Sequence, residues 1–392
     1  MPLLTPALSP SATPTARRSL APDLARGIML LVIALAHARI MAVLFGGGSG
    51  ESSADAVTQL LLPMFVDGRG YPMFAALFGY GLCQIHLRRR EQGWEWPAIR
   101  SLVRRRGLWL FLFGLVHVAL LFFGDILSVY GLVALVFAAV LRNSDKGLLR
   151  RAAGWSIAGS ALYAGMLAAA SATETGPVPQ DPIADAMGRL ITWPIFVVPM
   201  FATTVFPFLI GVWAARRHIL EEPSRHLPLL RRVAFIGIPV GILGGLPRGL
   251  HDMGAWQEPG FGSLYAAEWL TTVAGYAGGL GYAALIGLLA ARLNERPGRM
   301  GTALAATGER SMTSYLLQSV AWMALYPPYL LGLGAELSTA GAMAVGLAVW
   351  LTTVLIAEFM RRRGWRGPAE RLLRDRTYGR RRAADKPTST HV

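Results

Sequence analysis

The sequence predicts an all-α, polytopic integral membrane protein built as a bundle of about ten transmembrane helices. Two observations carry this. The 392-residue chain is 53% hydrophobic and only 16% charged, whereas a soluble chain carries about a quarter charged residues. Most of its 38 Lys and Arg fall in short segments, 17–18, 88–106, 142–151, 216–232, 292–299 and 361–386, that alternate with long apolar runs. Helices are the predicted element because the ten-residue alternating segments of a membrane barrel are absent.

A helix needs about 20 residues to cross the hydrocarbon core. The first run, 24–45, follows a Pro-, Ser- and Thr-rich stretch, 1–19, which reads as a disordered tail. This run is too long for a signal peptide, lacks an A-x-A-like exit and contains His37 and Arg39, so it reads as a retained span. Runs 71–87 and 107–123 flank a basic segment, and 126–141 follows after a tight turn at Gly124 and Asp125. Run 152–172 comes next. Run 190–215 contains Pro194, Pro199 and Pro207, and the short 233–246 lies with Pro239 and Pro247; proline removes a backbone hydrogen bond, so kinks are expected in both. Run 264–291 is glycine-rich, which favours close helix packing. Runs 303–331 and 340–360 complete the set.

Ten crossings that start inside put all six basic segments and both termini on the cytoplasmic face, where Lys and Arg collect. The outer loops then hold Glu51, Asp55, Asp67, Asp125, Glu174, Asp181, Asp185, Asp252, Glu258, Glu268 and Glu336 against Arg69, Arg189 and Arg248. Three regions follow: a tail at 1–19, a bundle at 20–363 and a basic cytoplasmic tail at 364–392.

The net charge of +15 does not indicate nucleic acid. The basic residues cluster at the ends of apolar runs rather than along a helix face with interleaved aromatics. Orientation in the bilayer and attraction to anionic head groups account for them. The single cysteine, Cys83, excludes an internal disulfide and Cys-rich metal spacing. His86, His218, His226, His251 and His391 show no ligand spacing, and no metal is expected.

Charged groups at bilayer depth cost about 2.5–3.5 kcal/mol each and require a partner or a function. On a helix turning about 100° per residue, Arg26 and His37 point within about 20° of each other, with Asp23 about 40° from the histidine, along about 21 Å. Asp23 and Arg26 read either as a helix-start ion pair at the interface or as an anchor for an anionic group. His37 is placed to take and return a proton, or to hold a structural hydrogen bond. Arg39, on the opposite face, is expected to snorkel to the head groups. A second constellation is His117, Asp125 and Tyr130. Asp125 either orients His117 as a carboxylate orients a catalytic imidazole or caps the following helix. A third stripe, Ser311, Tyr315 and Gln318, fits interhelical hydrogen bonding. Arg248, His251 and Asp252 read as solvated loop surface.

"FAALFGYGLCQIHLRR" at 74–89, "RGLWLFLFGLVHVALLFFGDILSVYGL" at 106–132, "SMTSYLLQS" at 311–319 and "GPAERLLRDRTYG" at 367–379 resemble the YeiB-like bacterial membrane proteins, which carry a domain of unknown function. "DLARGIMLLVIALAH" at 23–37 is similar to the opening helix of the membrane acyltransferase group, which includes acyltransferase-3 and heparan-glucosaminide acetyltransferase-like proteins. His37 stands where YeiB-like members often have asparagine, and Glu309 where they commonly have arginine.

The resemblance implies a multi-pass protein of the bacterial cytoplasmic membrane, with an acyltransferase-like part at 20–215 and a YeiB-like part at 216–363. It implies transfer of an acyl group from a cytoplasmic acyl-CoA such as acetyl-CoA to a small-molecule, glycan or lipid-linked acceptor. Arg26 would then bind the donor, His37 would be the general base for the acceptor or the transient acyl carrier, His117 and Asp125 would be a second proton-handling pair, and Asp23, Tyr130, Tyr315 and Gln318 would support them. The alternative from the same buried polar groups is a transporter or export factor for a small or lipid-linked molecule.

Overall fold

The computed structural model describes residues 20–379, apart from 49, 51, 174, 175, 258, 294 and 295. The tail expected at 1–19, the end of the basic tail at 380–392, and Glu51, Glu174, Glu258 and His391 lie outside the described residues. Thirteen α-helices follow one another: α1 (Leu20–Leu44), α2 (Ser53–Phe65), α3 (Gly70–Glu91), α4 (Trp96–Leu120), α5 (Ile126–Phe137), α6 (Asp145–Ala172), α7 (Pro182–Arg216), α8 (Leu227–Asp252), α9 (Phe261–Leu293), α10 (Gly298–Glu309), α11 (Ser311–Leu325), α12 (Thr339–Arg362) and α13 (Pro368–Tyr378). No strand occurs among the described residues. Among the described residues, six segments, based on α1, α6, α7, α8, α9 and α12, are long and apolar enough to cross a membrane. Their outward faces expose large apolar side chains such as Ile157, Ile191, Ile195, Phe235, Leu243 and Leu355, a surface suited to lipid rather than water.

Local chemistry sets the helix starts. Ser52, Asp125, Ser144, Asp181 and Ser338 each accept backbone N–H groups at a helix N-terminus, the groups that have no partner within the helix. α7 runs unbroken through Pro194, Pro199 and Pro207, and α8 through Pro239 and Pro247. The expected run at 303–331 is instead two helices, α10 and α11, divided at Arg310. Its guanidinium donates to Ala306 O at 3.0 Å and Trp365 O at 2.7 Å, while Glu370 of α13 accepts from Met312 N at 2.7 Å, Thr313 N at 3.1 Å and Thr313 Oγ1 at 2.5 Å. The amides freed by the break are thus satisfied by a carboxylate from beyond the last long helix. The loop expected between the first two runs also contains a helix, α2.

One apolar core extends from Ala21 to Leu373 and joins residues of α1, α3, α4, α5, α6, α7, α9, α10, α11, α12 and α13. At the crossing of α1 and α10, a Cβ on Gly27 or Gly308 would meet the backbone of the other helix, at Leu304 O and Asp23 O respectively, so these helices meet backbone to backbone.

At the end of the bundle away from the basic clusters, the polar residues turn inward. Arg39 does not snorkel: it pairs with Asp67 and Asp252, each at 2.6 Å. Arg248 pairs with Asp252 at 2.6 Å and also with Glu268, so this cluster is not solvated loop. Arg69, fully buried, donates to the carbonyls of Asp67 and Gly241. One network therefore fastens α1, α8 and α9 and the turn before α3. Asp252→Ala would leave two guanidiniums short of a partner, and breaking such buried pairs costs about 3 kcal/mol or more. The expected result is a clear fall in the melting temperature of the detergent-solubilised protein.

Candidate functional site

The site is built where α4 turns into α5. His117 lies in the last turn of α4, and Asp125 caps α5. The two carboxylate oxygens of Asp125 divide the work. Oδ2 accepts the Ser128 N–H at 2.5 Å, and Oδ1 stands 2.9 Å from His117 Nδ1. The cap and the close imidazole approach therefore coexist, the approach not being aligned as a hydrogen bond: neither Asp125 Oδ1 nor His117 Nδ1 has a hydrogen-bond partner among the described residues. Gly114, one turn before His117, makes this approach feasible: a Cβ there would strike Ser128 N and Asp125 Oδ2.

On its other edge, His117 Nε2 lies 2.8 Å from Ser319 Oγ in α11, and Ser319 Oγ also donates to Tyr315 O at 3.3 Å. Asp125, His117 and Ser319 are 0%, 2% and 1% exposed. Ser319 has a single hydroxyl proton: given to Tyr315 O, it leaves Oγ to accept from His117 Nε2–H, and turned to His117 it is accepted by Nε2 in the tautomer protonated on Nδ1. Carboxylate, imidazole and hydroxyl thus follow one another in the order used for nucleophilic acyl chemistry.

Tyr315 closes one side. Its ring centroid is 5.1 Å from that of His117 and 6.0 Å from that of His37. His37 packs on Phe122 at 4.6 Å and lies within electrostatic reach of His117 and Asp125. Its Nδ1 is buried without a hydrogen-bond partner among the described residues. Beyond the end of α4, Arg189 donates to Val118 O at 3.2 Å and Ala119 O at 3.1 Å, while Asp185 accepts from both Arg189 and Tyr329. This knot clamps the turn that carries His117.

The other expected site residues stand apart. Arg26 pairs with Asp23 at 3.0 Å toward the basic end, about 16 Å along α1 from His37 on an ideal helix. Gln318 reaches Leu30 O at 3.4 Å and Thr353 Oγ1 at 3.5 Å, tying α11 to α1 and α12 as an interhelical bond. Tyr130 stacks on Phe78 at 5.0 Å and donates to Tyr71 O at 3.5 Å. Ser319 was not singled out from sequence, although it follows Tyr315 by four residues and so shares its helix face. Among the described residues, no group of three His, Cys, Asp or Glu side chains is placed to hold a metal.

Residues 214–380 match DUF418, a protein family of unknown function. The C-terminal part of the chain is thus DUF418-like. The chain is also 23% identical over 362 residues to the uncharacterized protein YxaH of Bacillus subtilis (strain 168), covering 83% of each. It is 39% identical over 124 residues to an uncharacterized 39.9 kDa protein in the amylase 3′ region of Bacillus acidopullulyticus, covering 31% of this chain and 34% of that one. These likenesses support a DUF418/YeiB-like relationship. The DUF418 stretch supplies Tyr315 and Ser319, whereas His37, His117 and Asp125 precede it, so the site is assembled across its boundary.

Proposed function

We propose that the protein is an integral membrane acyltransferase that moves an acyl group, acetyl in the simplest case, from acyl-CoA to an acceptor in or across the membrane. The observation that carries the reading is the buried sequence Asp125, His117, Ser319, with 2.9 and 2.8 Å between successive groups. In this reading, His117 Nε2 removes the proton from Ser319 Oγ as that oxygen attacks the thioester carbon. The C–S bond breaks, the coenzyme thiolate leaves with the proton held on His117, and Asp125 stabilises the imidazolium in the interim. His37 then takes the proton of the acceptor hydroxyl or amine as it attacks the acyl carbon; the acyl–Oγ bond breaks, His117 returns its proton to Ser319 Oγ, and the proton on His37 passes to the departed coenzyme thiolate through water. Arg26, at the basic end of the same helix, is the anchor for the donor's phosphates. The basic segments favour a bacterial cytoplasmic membrane topology of ten crossings with that end inside.

The test is incubation of the detergent-solubilised full chain with acetyl-labelled acetyl-CoA. Label should reach protein or acceptor, and His37→Ala should slow delivery to the acceptor by about 10²–10⁴-fold, the range of a general base. Equal delivery by the variant removes His37 from the mechanism. Flux of a small molecule in proteoliposomes without any acyl donor, together with no labelling, replaces the reading with a transporter.

A further inference from the structure

A second feature lies away from this site, on the outer surface of α8 and α9 at the basic end. Higher in this helix pair the backbones are in close contact: a Cβ on Gly237 would meet Ala277 O, and one on Gly241 would meet Gly278. Toward the basic end glycine gives way to Arg231 and Phe235 on α8 and to Leu285 and Leu289 on α9. Leu230 and Ala234 of α8 pack with Ala284 and Leu288 of α9 at this level, and a crevice of about 470 Å³ lies beside that packing, lined by the exposed residues of both helices. Its walls are alkyl and aromatic, with Phe235 75%, Leu285 48% and Leu289 42% exposed.

Two guanidiniums, Arg231 and Arg292, and Ser224 also line it, and among the described residues no carboxylate does. Among the described residues neither arginine pairs with a carboxylate; the nearby Glu222 is taken by Arg225 and Glu221 by Tyr80, Gln84, Arg88 and His218. Arg231 belongs to the start of α8 and Arg292 to the end of α9, so the charges sit at head-group level while the apolar walls run into the bilayer. An occupant must therefore join a phosphate-like anion to a long alkyl chain. Free phosphate leaves the walls uncovered, and a neutral hydrocarbon leaves the guanidiniums unmatched.

We propose that the crevice between α8 and α9 binds an anionic glycerophospholipid, with one acyl chain along Phe235, Leu285 and Leu289 and the head-group phosphate between Arg231 and Arg292. Arginine forks match phosphate oxygens two at a time, and basic pockets between membrane helices at this level favour anionic head groups. A zwitterionic lipid brings the same phosphate with a cancelling ammonium and gains less. Because the site makes no use of Ser319, His117 or His37, it stands or falls separately from the acyl-transfer reading.

Native mass spectrometry of the full chain, titrated with phosphatidylglycerol or phosphatidylcholine, tests this. Phosphatidylglycerol should be retained in preference to phosphatidylcholine. Removing both charges in the Arg231→Ala, Arg292→Ala variant should weaken retention about 10- to 30-fold, given about 1 kcal/mol per basic residue near anionic lipid. Arg231→Lys with Arg292→Lys should keep most of it, and Arg299→Ala, a basic residue outside the crevice, should change nothing. Leu289→Trp, which fills the groove without altering charge, should reduce retention as well. Equal retention of the two lipids, unchanged retention by the double alanine variant, or displacement of phosphatidylglycerol by millimolar inorganic phosphate overturns the proposal.

Discussion

Ser319→Ala is expected to abolish acyl transfer, with kcat falling by at least about 10³-fold. The hydroxyl is the only member of the Asp125, His117, Ser319 set that forms a covalent bond in the proposed route, so nothing in the site can replace it. Intact-mass measurement gives the decisive readout. After exposure to acyl-CoA without acceptor, the wild-type chain should gain the mass of one acyl group and Ser319→Ala should gain none. His37→Ala should still gain it, because His37 acts on the acceptor in the second half of the reaction. Loss of the hydroxyl also leaves His117 Nε2 without its partner, which costs about 1–3 kcal/mol, so melting temperature is to be followed in parallel. An acylated Ser319→Ala chain transfers the nucleophilic role elsewhere and removes serine from the mechanism.

Asp125→Asn carries the second largest expected effect. Asparagine caps a helix about as well as aspartate, so the Ser128 contact and the start of α5 should survive with a loss of stability below about 1 kcal/mol. The amide, however, carries no charge to hold an imidazolium and lets His117 adopt the tautomer with its proton on Nε2. Such a change has a precedent cost of about 10⁴-fold in kcat with geometry retained. A kcat drop of that order with little change in melting temperature separates the role of Asp125 toward His117 from its role as a cap. A parallel, modest fall in both quantities would leave only the cap.

Helical class and lipid-facing character were legible because they depend on composition and on the lengths of apolar runs. The approach of Asp125 to His117 was legible as well, since eight residues and a tight turn separate them in one hairpin. Ser319 was not: it lies 202 residues from His117, and a serine in an apolar helix looks the same in sequence whether it meets an imidazole or bonds its own backbone. α2, with 13 residues, escaped a criterion tuned to about 20 residues per crossing. The division between α10 and α11 depends on Glu370, whose position beyond the last long helix is a tertiary fact. Asp252 was read as solvated loop surface, and Asp67 and Glu268 only as outer-loop charges, because sequence does not reveal whether an acidic residue at a span end meets water or a guanidinium from another helix.

Glu370 stands at the first turn of α11, and Ser319 follows Thr313 on the same helix by six residues, about 9 Å of rise. The Ser319 hydroxyl is therefore joined, through α11, to a short helix that docks on the apolar core through Leu373 and lays Arg376 over Trp109 while Arg371 and Arg374 are exposed. Truncation before Pro368 would remove the carboxylate that satisfies the first amides of α11, so the helix that carries Ser319 begins on a contact supplied from near the far end of the chain.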